Sequence, residues 1–236
     1  MNNLIVACET LKDEVYKSLE ITKCNFPVLW LDSKYHLDTT NLKLRLQYEI
    51  NCHEGFDNIL LVYGNCGNAV VGLEATTANL ILPNTEDCIS MILKKNNSAI
   101  RCFNNAYFLT GGWLESSIGL YSEFEYCCKK YGIKKTNYIF GEMLKMYNKL
   151  ILIDNGTYCL DKYKAKAEML SKLLNLELAV ENGYIDIILK LFTGQWDDDF
   201  IKVKKGNSIK LEDFRIVTGN KANFFDDIGM YKNDQK

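Results

Sequence analysis

The sequence predicts an α/β protein with a mostly parallel sheet built from repeated strand–helix units. Two features carry that expectation. Short apolar runs at residues 4–7 (LIVA), 28–31 (VLWL), 59–63 (ILLVY), 80–82 (LIL) and 149–153 (KLILI) have the pattern of strands buried on both faces. Stretches with apolar residues at helical spacing alternate with them along almost the whole chain.

Taken in order, the first strand, 4–7, is followed by Cys8. A helix over 10–19 then carries Leu11, Val15, Tyr16 and Leu19 on one side, with Thr10 and Asp13-Glu14 suited to its N-terminus. The second strand, 28–31, is closed by Asp32-Ser33, and His36 follows. Asp38 or Thr39 caps a helix whose apolar face is Leu42, Leu44 with the Arg45 stem, Leu46 and Ile50, and Gly55 ends that unit. Residues 57–88 read as strand, glycine-bounded turn, short helix, strand and turn, with Pro83 stopping the second strand and Asp87-Cys88 leading into a helix over 89–94.

Further on, a strand at 107–110 is broken by Gly111-Gly112, and Trp113 comes next. Helices are expected over 121–131, 138–147, 161–174 and 184–192, the last ending at Gly194. Strands are expected at 149–153, 176–180 and 201–203, with a turn at Asp154-Asn155-Gly156 and a frayed end from Gly219. No segment rich in Pro, Gly or Ser marks a boundary. The chain therefore reads as a single α/β domain over 1–236, divisible into two packed halves, 1–115 and 116–236.

Composition narrows the function classes. At 236 residues with 47% hydrophobic content, the chain can bury a substantial core. A net charge of −2, with both signs mixed along the chain, leaves no electrostatic footprint for nucleic acid. No apolar run is long enough for a membrane span, and the start lacks the pattern of a signal peptide, so a cytoplasmic protein is expected. Nine cysteines in that compartment read as thiols or metal ligands and not as a disulfide framework.

The main functional signal is positional. Cys8, Cys66 and Cys88 each stand just past the end of a predicted parallel strand, the rim where ligands collect in such sheets. Any one buried cysteine is a small hydrophobe; three on one rim point to a shared partner. Thiolates require a positive neighbour, and a metal is the usual one. Three thiolates leave one position of a tetrahedral zinc open, or hold a 4Fe-4S cluster with one iron free for substrate. His36 follows a strand at the same rim and is a candidate ligand or acid/base. In the YGNCGN turn, Gly64 and Gly67 let the backbone approach a bound group, and Asn65 and Asn68 add donors. Asp87 is a helix cap or an acceptor that orients a ligand. Trp113 lines a pocket or the core, and Asp154 at a strand's carboxyl end is a candidate polar site residue.

These elements in order resemble the domain-of-unknown-function family DUF 1638 of methanogens and anaerobic bacteria. The matching stretches are Ala7-Cys8 with Glu14, Tyr35-His36, YGNCGN with Val71-Gly72-Leu73, and Pro83 with Asp87-Cys88-Ile89. They continue through residues 107–110 with Gly112-Trp113, Tyr147, residues 154–156, and Gly194-Gln195-Trp196-Asp197 with Phe200. The family usually has a basic, histidine-containing segment before the Asp-Cys pair, where this chain has Asn84-Thr85-Glu86. The resemblance carries no mechanism; it implies a setting near corrinoid-dependent methyltransferases. A looser likeness is to quinolinate-synthase-like proteins, in which three cysteines from successive α/β units hold one cluster.

The resulting expectation is a cysteine-ligated metalloprotein of anaerobic metabolism, a metal-dependent transferase or lyase. It would use an iron–sulfur cluster or zinc on a small-molecule substrate, in methyl-transfer or sulfur chemistry. The alternative is a non-catalytic accessory protein that binds a corrinoid protein, a methyltransferase or the corrinoid cofactor.

Overall fold

The computed structural model describes residues 2–96, 103 and 105–214. Within them the chain is α/β, with two sheets. The larger sheet contains β1 (Asn3–Cys8), β2 (Val28–Leu31), β3 (Asn58–Val62), β4 (Asn79–Pro83) and β8 (Phe200–Val203), ordered β2-β1-β3-β4-β8. All its pairings are parallel except the last, where β8 runs antiparallel along β4. The smaller sheet is parallel throughout, ordered β5 (Ala106–Leu109), β6 (Lys149–Asp154), β7 (Glu177–Asn182). The sheets do not divide the chain at a single point. β5 precedes residue 115 yet belongs to the smaller sheet, and β8 returns to the larger one.

The apolar runs at 4–7, 59–63, 80–82 and 150–153 are buried on both faces, as their sequence predicts, while the run at 28–31 forms the edge strand β2 and is only half-buried before Leu31. Leu4 and Val6 of β1, with Ile59 and Leu61 of β3, face α2 (Thr39–Cys52) through Leu42, Leu46 and Ile50. Their neighbours Ile5, Ala7, Leu60 and Val62 face the other way, towards α1 (Lys12–Thr22), α3 (Cys88–Leu93) and α8 (Asp186–Thr193). That middle layer also receives Ile151 and Ile153 from β6. Leu150 and Leu152 turn outward under α5 (Leu120–Tyr131), α6 (Ile133–Met143) and α7 (Leu160–Leu174). The period of two in each strand thus joins the two sheets through one shared layer of helices.

In the strand order the connection leaving β1 runs to β2 on one side and the connection leaving β3 runs to β4 on the other, so the two diverge at their carboxyl ends. Such a switch in winding direction opens a crevice at the strand ends, the usual binding position in an open α/β sheet.

Local chemistry sets the boundaries. Asp38 caps α2 by accepting from the Thr40 amide at 2.8 Å, and Asp87 caps α3 by accepting from Ser90 at 2.7 Å. Each such cap contributes about 1 kcal/mol. Three expectations are corrected. No helix lies between β3 and β4: Cys66, Gly67 and Asn68 all have positive φ, so the segment closes in successive tight turns. The strand expected at 107–110 ends one residue early, because the Thr110 hydroxyl accepts from the Trp113 amide and starts a short helix, α4 (Gly111–Glu115). The helix expected at 138–147 begins at Ile133 instead, since Gly132 at φ 77 ends α5 and lets α6 start at once. The frayed end expected from Gly219 lies outside the described residues. No described helix is long and apolar enough to cross a membrane.

Candidate functional site

The switch point between β1 and β3 is where the chemistry gathers. Cys8 is the last residue of β1, Cys66 lies in the turn after β3, and Cys88 opens α3 after β4. All three thiols are buried. The turns carrying the last two are joined backbone to backbone. The Asn65 amide donates to the Thr85 carbonyl, and the Cys66 amide to that of Glu86, both at 2.8 Å. Gly64 makes this approach feasible: a Cβ there would lie 2.7 Å from the Asp87 Cα. The amide of Cys88 in turn donates towards the Cys66 sulfur.

Cys66 stands at φ 48, a left-handed conformation that side chains other than glycine rarely adopt. Such local strain, about 1–3 kcal/mol, concentrates at functional sites. Gly67 at φ 66 continues the turn at no comparable steric cost.

His36 joins the thiols from the opposite side of β1. It sits in a short 3-10 turn, Ser33–Leu37, begun by Asp32, which accepts from the Lys34 amide. Its Nε2 lies 3.2 Å from the Cys8 sulfur, which also contacts the Thr10 hydroxyl at 3.1 Å. Trp113 arrives from the smaller sheet on α4. Its ring packs edge-on to His36 at 5.9 Å, and its indole lies near Cys88. A buried hydrogen bond at 2.9 Å between Ser33 and Ser116 ties the His36 turn to the loop after α4.

Burial dominates the electrostatics. It pushes the Cys8 thiol up to about 11, opposed by hydrogen bonds from Thr10. Burial raises Cys66 and Cys88 further, with Asp87 and the neighbouring sulfurs adding to the effect. It also lowers His36 to about 4, leaving the imidazole neutral near pH 7. The pocket therefore offers three sulfurs and a neutral ring nitrogen, and none of these groups supplies a positive charge. Such thiols ionise when a cation enters.

Tyr63, the last residue of the ILLVY run, completes the cluster. It is 1% exposed, stacks on His36 at 6.2 Å, and lies near enough to all three cysteines to feel their charge. Its hydroxyl has no hydrogen-bond partner. Leaving such a group unsatisfied costs about 1–3 kcal/mol.

The other sequence candidates are placed as follows. Asp87 is near Cys66 and Cys88 with its carboxyl raised by burial, while also capping α3. Asn65 bonds Asn68 at 2.9 Å and keeps a buried oxygen without a partner; Asn68 itself and Gly67 are exposed. Asp154 ends β6 of the smaller sheet and accepts from the Gly156 amide, closing its own turn. Cys24, Cys52, Cys127, Cys128 and Cys159 are scattered, partly buried or exposed. Among the described residues, no group of three or more His, Cys, Asp or Glu side chains is placed so as to hold a metal ion.

Sequence reasoning missed Tyr63, whose position in an apolar run hid a polar role, although it directly precedes GNCGN. It also gave Glu14 no site role, naming it only as a helix-start residue and as part of the family resemblance. Glu14 is buried on α1 and accepts from the Asn155 amide of the other sheet at 2.6 Å.

The family model described as "Protein of unknown function (DUF1638)" matches residues 30–192, well over half of the chain. This chain belongs to the DUF1638 family. No curated protein and no solved structure matches it. The DUF1638 match takes in His36, Tyr63, Cys66, Cys88 and Trp113 and begins after Cys8, so the third thiol is supplied by the strand preceding the matched span.

Proposed function

We propose that this protein is a cysteine-ligated metalloprotein in which Cys8, Cys66 and Cys88 hold an iron–sulfur cluster or zinc. One observation supports this reading: three buried thiols from adjoining strand ends lie near enough to Tyr63 to influence it electrostatically, and its enclosed hydroxyl has no partner. An occupant would satisfy that hydroxyl, and a cationic one would stabilise the thiolates. Sulfurs supplied by three separate turns suit a multi-atom cluster better than one small ion.

The metal would supply Lewis acidity or electron transfer at a coordination position the protein leaves open. The chain's own residues have distinct tasks. His36, neutral and against Cys8, is the fourth ligand or holds a proton for the substrate. Tyr63 donates its hydroxyl proton in a hydrogen bond to whatever occupies the centre. Trp113 covers the site from the smaller sheet and excludes water. The resemblance to proteins encoded near corrinoid-dependent methyltransferases suggests methyl-transfer or sulfur chemistry as the setting.

The test is anaerobic purification with metal analysis and an absorption spectrum, for wild type and Cys66→Ala. Iron with acid-labile sulfide and a broad visible band, lost in the variant while its fold is retained, is the expected result. Zinc alone, again lost in the variant, supports thiol activation. A folded, fully reduced wild-type protein that takes up neither metal under reconstitution overturns the reading.

A further inference from the structure

The 3-10 turn that aims His36 inward has an outer face. There Lys34, Tyr35 and Leu37 combine with Leu44, Arg45 and Tyr48 of α2 around an open depression of about 540 Å³. Its volume falls in the range of roughly 300–1,000 Å³ that small-molecule sites occupy. The side chains in it are unusual for a solvated helix face. Leu37, Leu44 and Tyr48 are 41%, 64% and 58% exposed, three large apolar groups open on one side of the molecule.

Arg45 lies between two aromatic rings, 5.9 Å from the Tyr35 centroid and 5.3 Å from that of Tyr48. One edge of its guanidinium is held by Glu49, which fixes its orientation. Its Nε is enclosed and has no hydrogen-bond partner. The Arg45 side chain as a whole is 39% exposed, so the N–H groups that Glu49 leaves open can meet an anionic acceptor from the depression. The Lys34 ammonium at the edge is held only loosely, 3.7 Å from Asp32. Asp38, the acid at the depression, is turned to its helix, accepting from Thr40 and Asn41.

We propose that this depression is a binding site for a small molecule with a flat apolar ring and a carboxylate or phosphate. The acid group would meet Arg45, with Lys34 adding charge, and the ring would lie against Tyr35, Tyr48 and Leu44. Because Tyr35 and His36 are consecutive in one turn, an occupant would press on the segment that seats His36 against Cys8. The site stands independently of whether the thiols carry a metal.

The test uses 1-naphthoate and its neutral amide, 1-naphthamide, titrated into the full chain and followed by amide NMR shifts. Saturable shifts across residues 34–48 with naphthoate, at least about tenfold tighter than with naphthamide, are expected. Arg45→Gln should erase that tenfold preference, and Leu44→Asp should weaken both ligands. Absence of saturable shifts in this segment, or equal affinity for acid and amide, overturns the proposal. Shifts at Leu37, Leu44 and Tyr48 that grow with protein concentration alone would assign the patch to a second copy of the chain, and also overturn it.

Discussion

Gly112→Ala should destabilise the protein by more than about 3 kcal/mol, among the largest effects of any single methyl group here. A Cβ at this position would lie 1.9 Å from the carbonyl oxygen of Thr10 and 2.6 Å from its carbonyl carbon. Both partners are backbone, so no side-chain rotation relieves the overlap. Gly112 belongs to α4, which hangs from the smaller sheet, and Thr10 follows β1 of the larger one. The substitution therefore pushes apart the two elements that bring Trp113 over the cysteines. Urea denaturation gives the stability change, and Trp113 fluorescence reports the site. A variant as stable as wild type would show that the two sheets are not in this close contact.

Glu14→Gln should stabilise the protein, and only at higher pH. The Glu14 carboxyl is enclosed at the junction of the sheets, with one oxygen accepting from Asn155 and the other without a partner. Burial pushes its pKa up from 4.5 to about 7; the Asn155 hydrogen bond works against this shift and nearby Asp13 adds slightly to it. The Tyr158 phenol faces it from the turn after β6, itself held up by burial and by Glu14. The folded protein therefore retains a proton that the unfolded chain releases. The stabilisation this provides is full below about pH 4.5, falls as pH rises, and is gone above about pH 7. A displacement of that size corresponds to about 3 kcal/mol. Glutamine keeps the acceptor for Asn155 and cannot ionise. The difference between variant and wild type in urea denaturation should be near zero at pH 4 and approach 3 kcal/mol at pH 8. A difference that does not change with pH would mean that Glu14 is not buried in the folded protein.

Much of the fold was legible because its signals are local. The runs at 59–63 and 149–153 could only be two-faced buried strands, since apolar side chains point both ways along them. The caps were legible as candidates, Asp38 beside Thr39 and Asp87 as one of two readings of that acid, because a short acceptor ahead of an apolar stretch satisfies free helix amides. The placing of the thiols could be read in outline, since parallel strands end at one rim, and Cys8, Cys66 and Cys88 are all buried at strand ends there. His36 was legible by the same reasoning and lies on Cys8.

Other features depended on residues distant in sequence. The α4 turn was hidden by its two glycines, which read as a break; their purpose appears only where Thr10 passes Gly112. Tyr63 and Glu14 belong to stretches that carry the family resemblance, but nothing in their neighbours along the chain says what they do. Tyr63 ends a five-residue apolar run until burial leaves its hydroxyl without a partner, and Glu14 is one acid of a helix start until Asn155 meets it. By itself the sequence determined the strands, most of the helices and the rim that carries the thiols, because periodicity and capping are properties of neighbouring residues. Only the tertiary structure decided which polar groups would be enclosed and which would be left without a partner. Burial and hydrogen-bond satisfaction depend on what the other sheet brings, and no spacing along the chain encodes that.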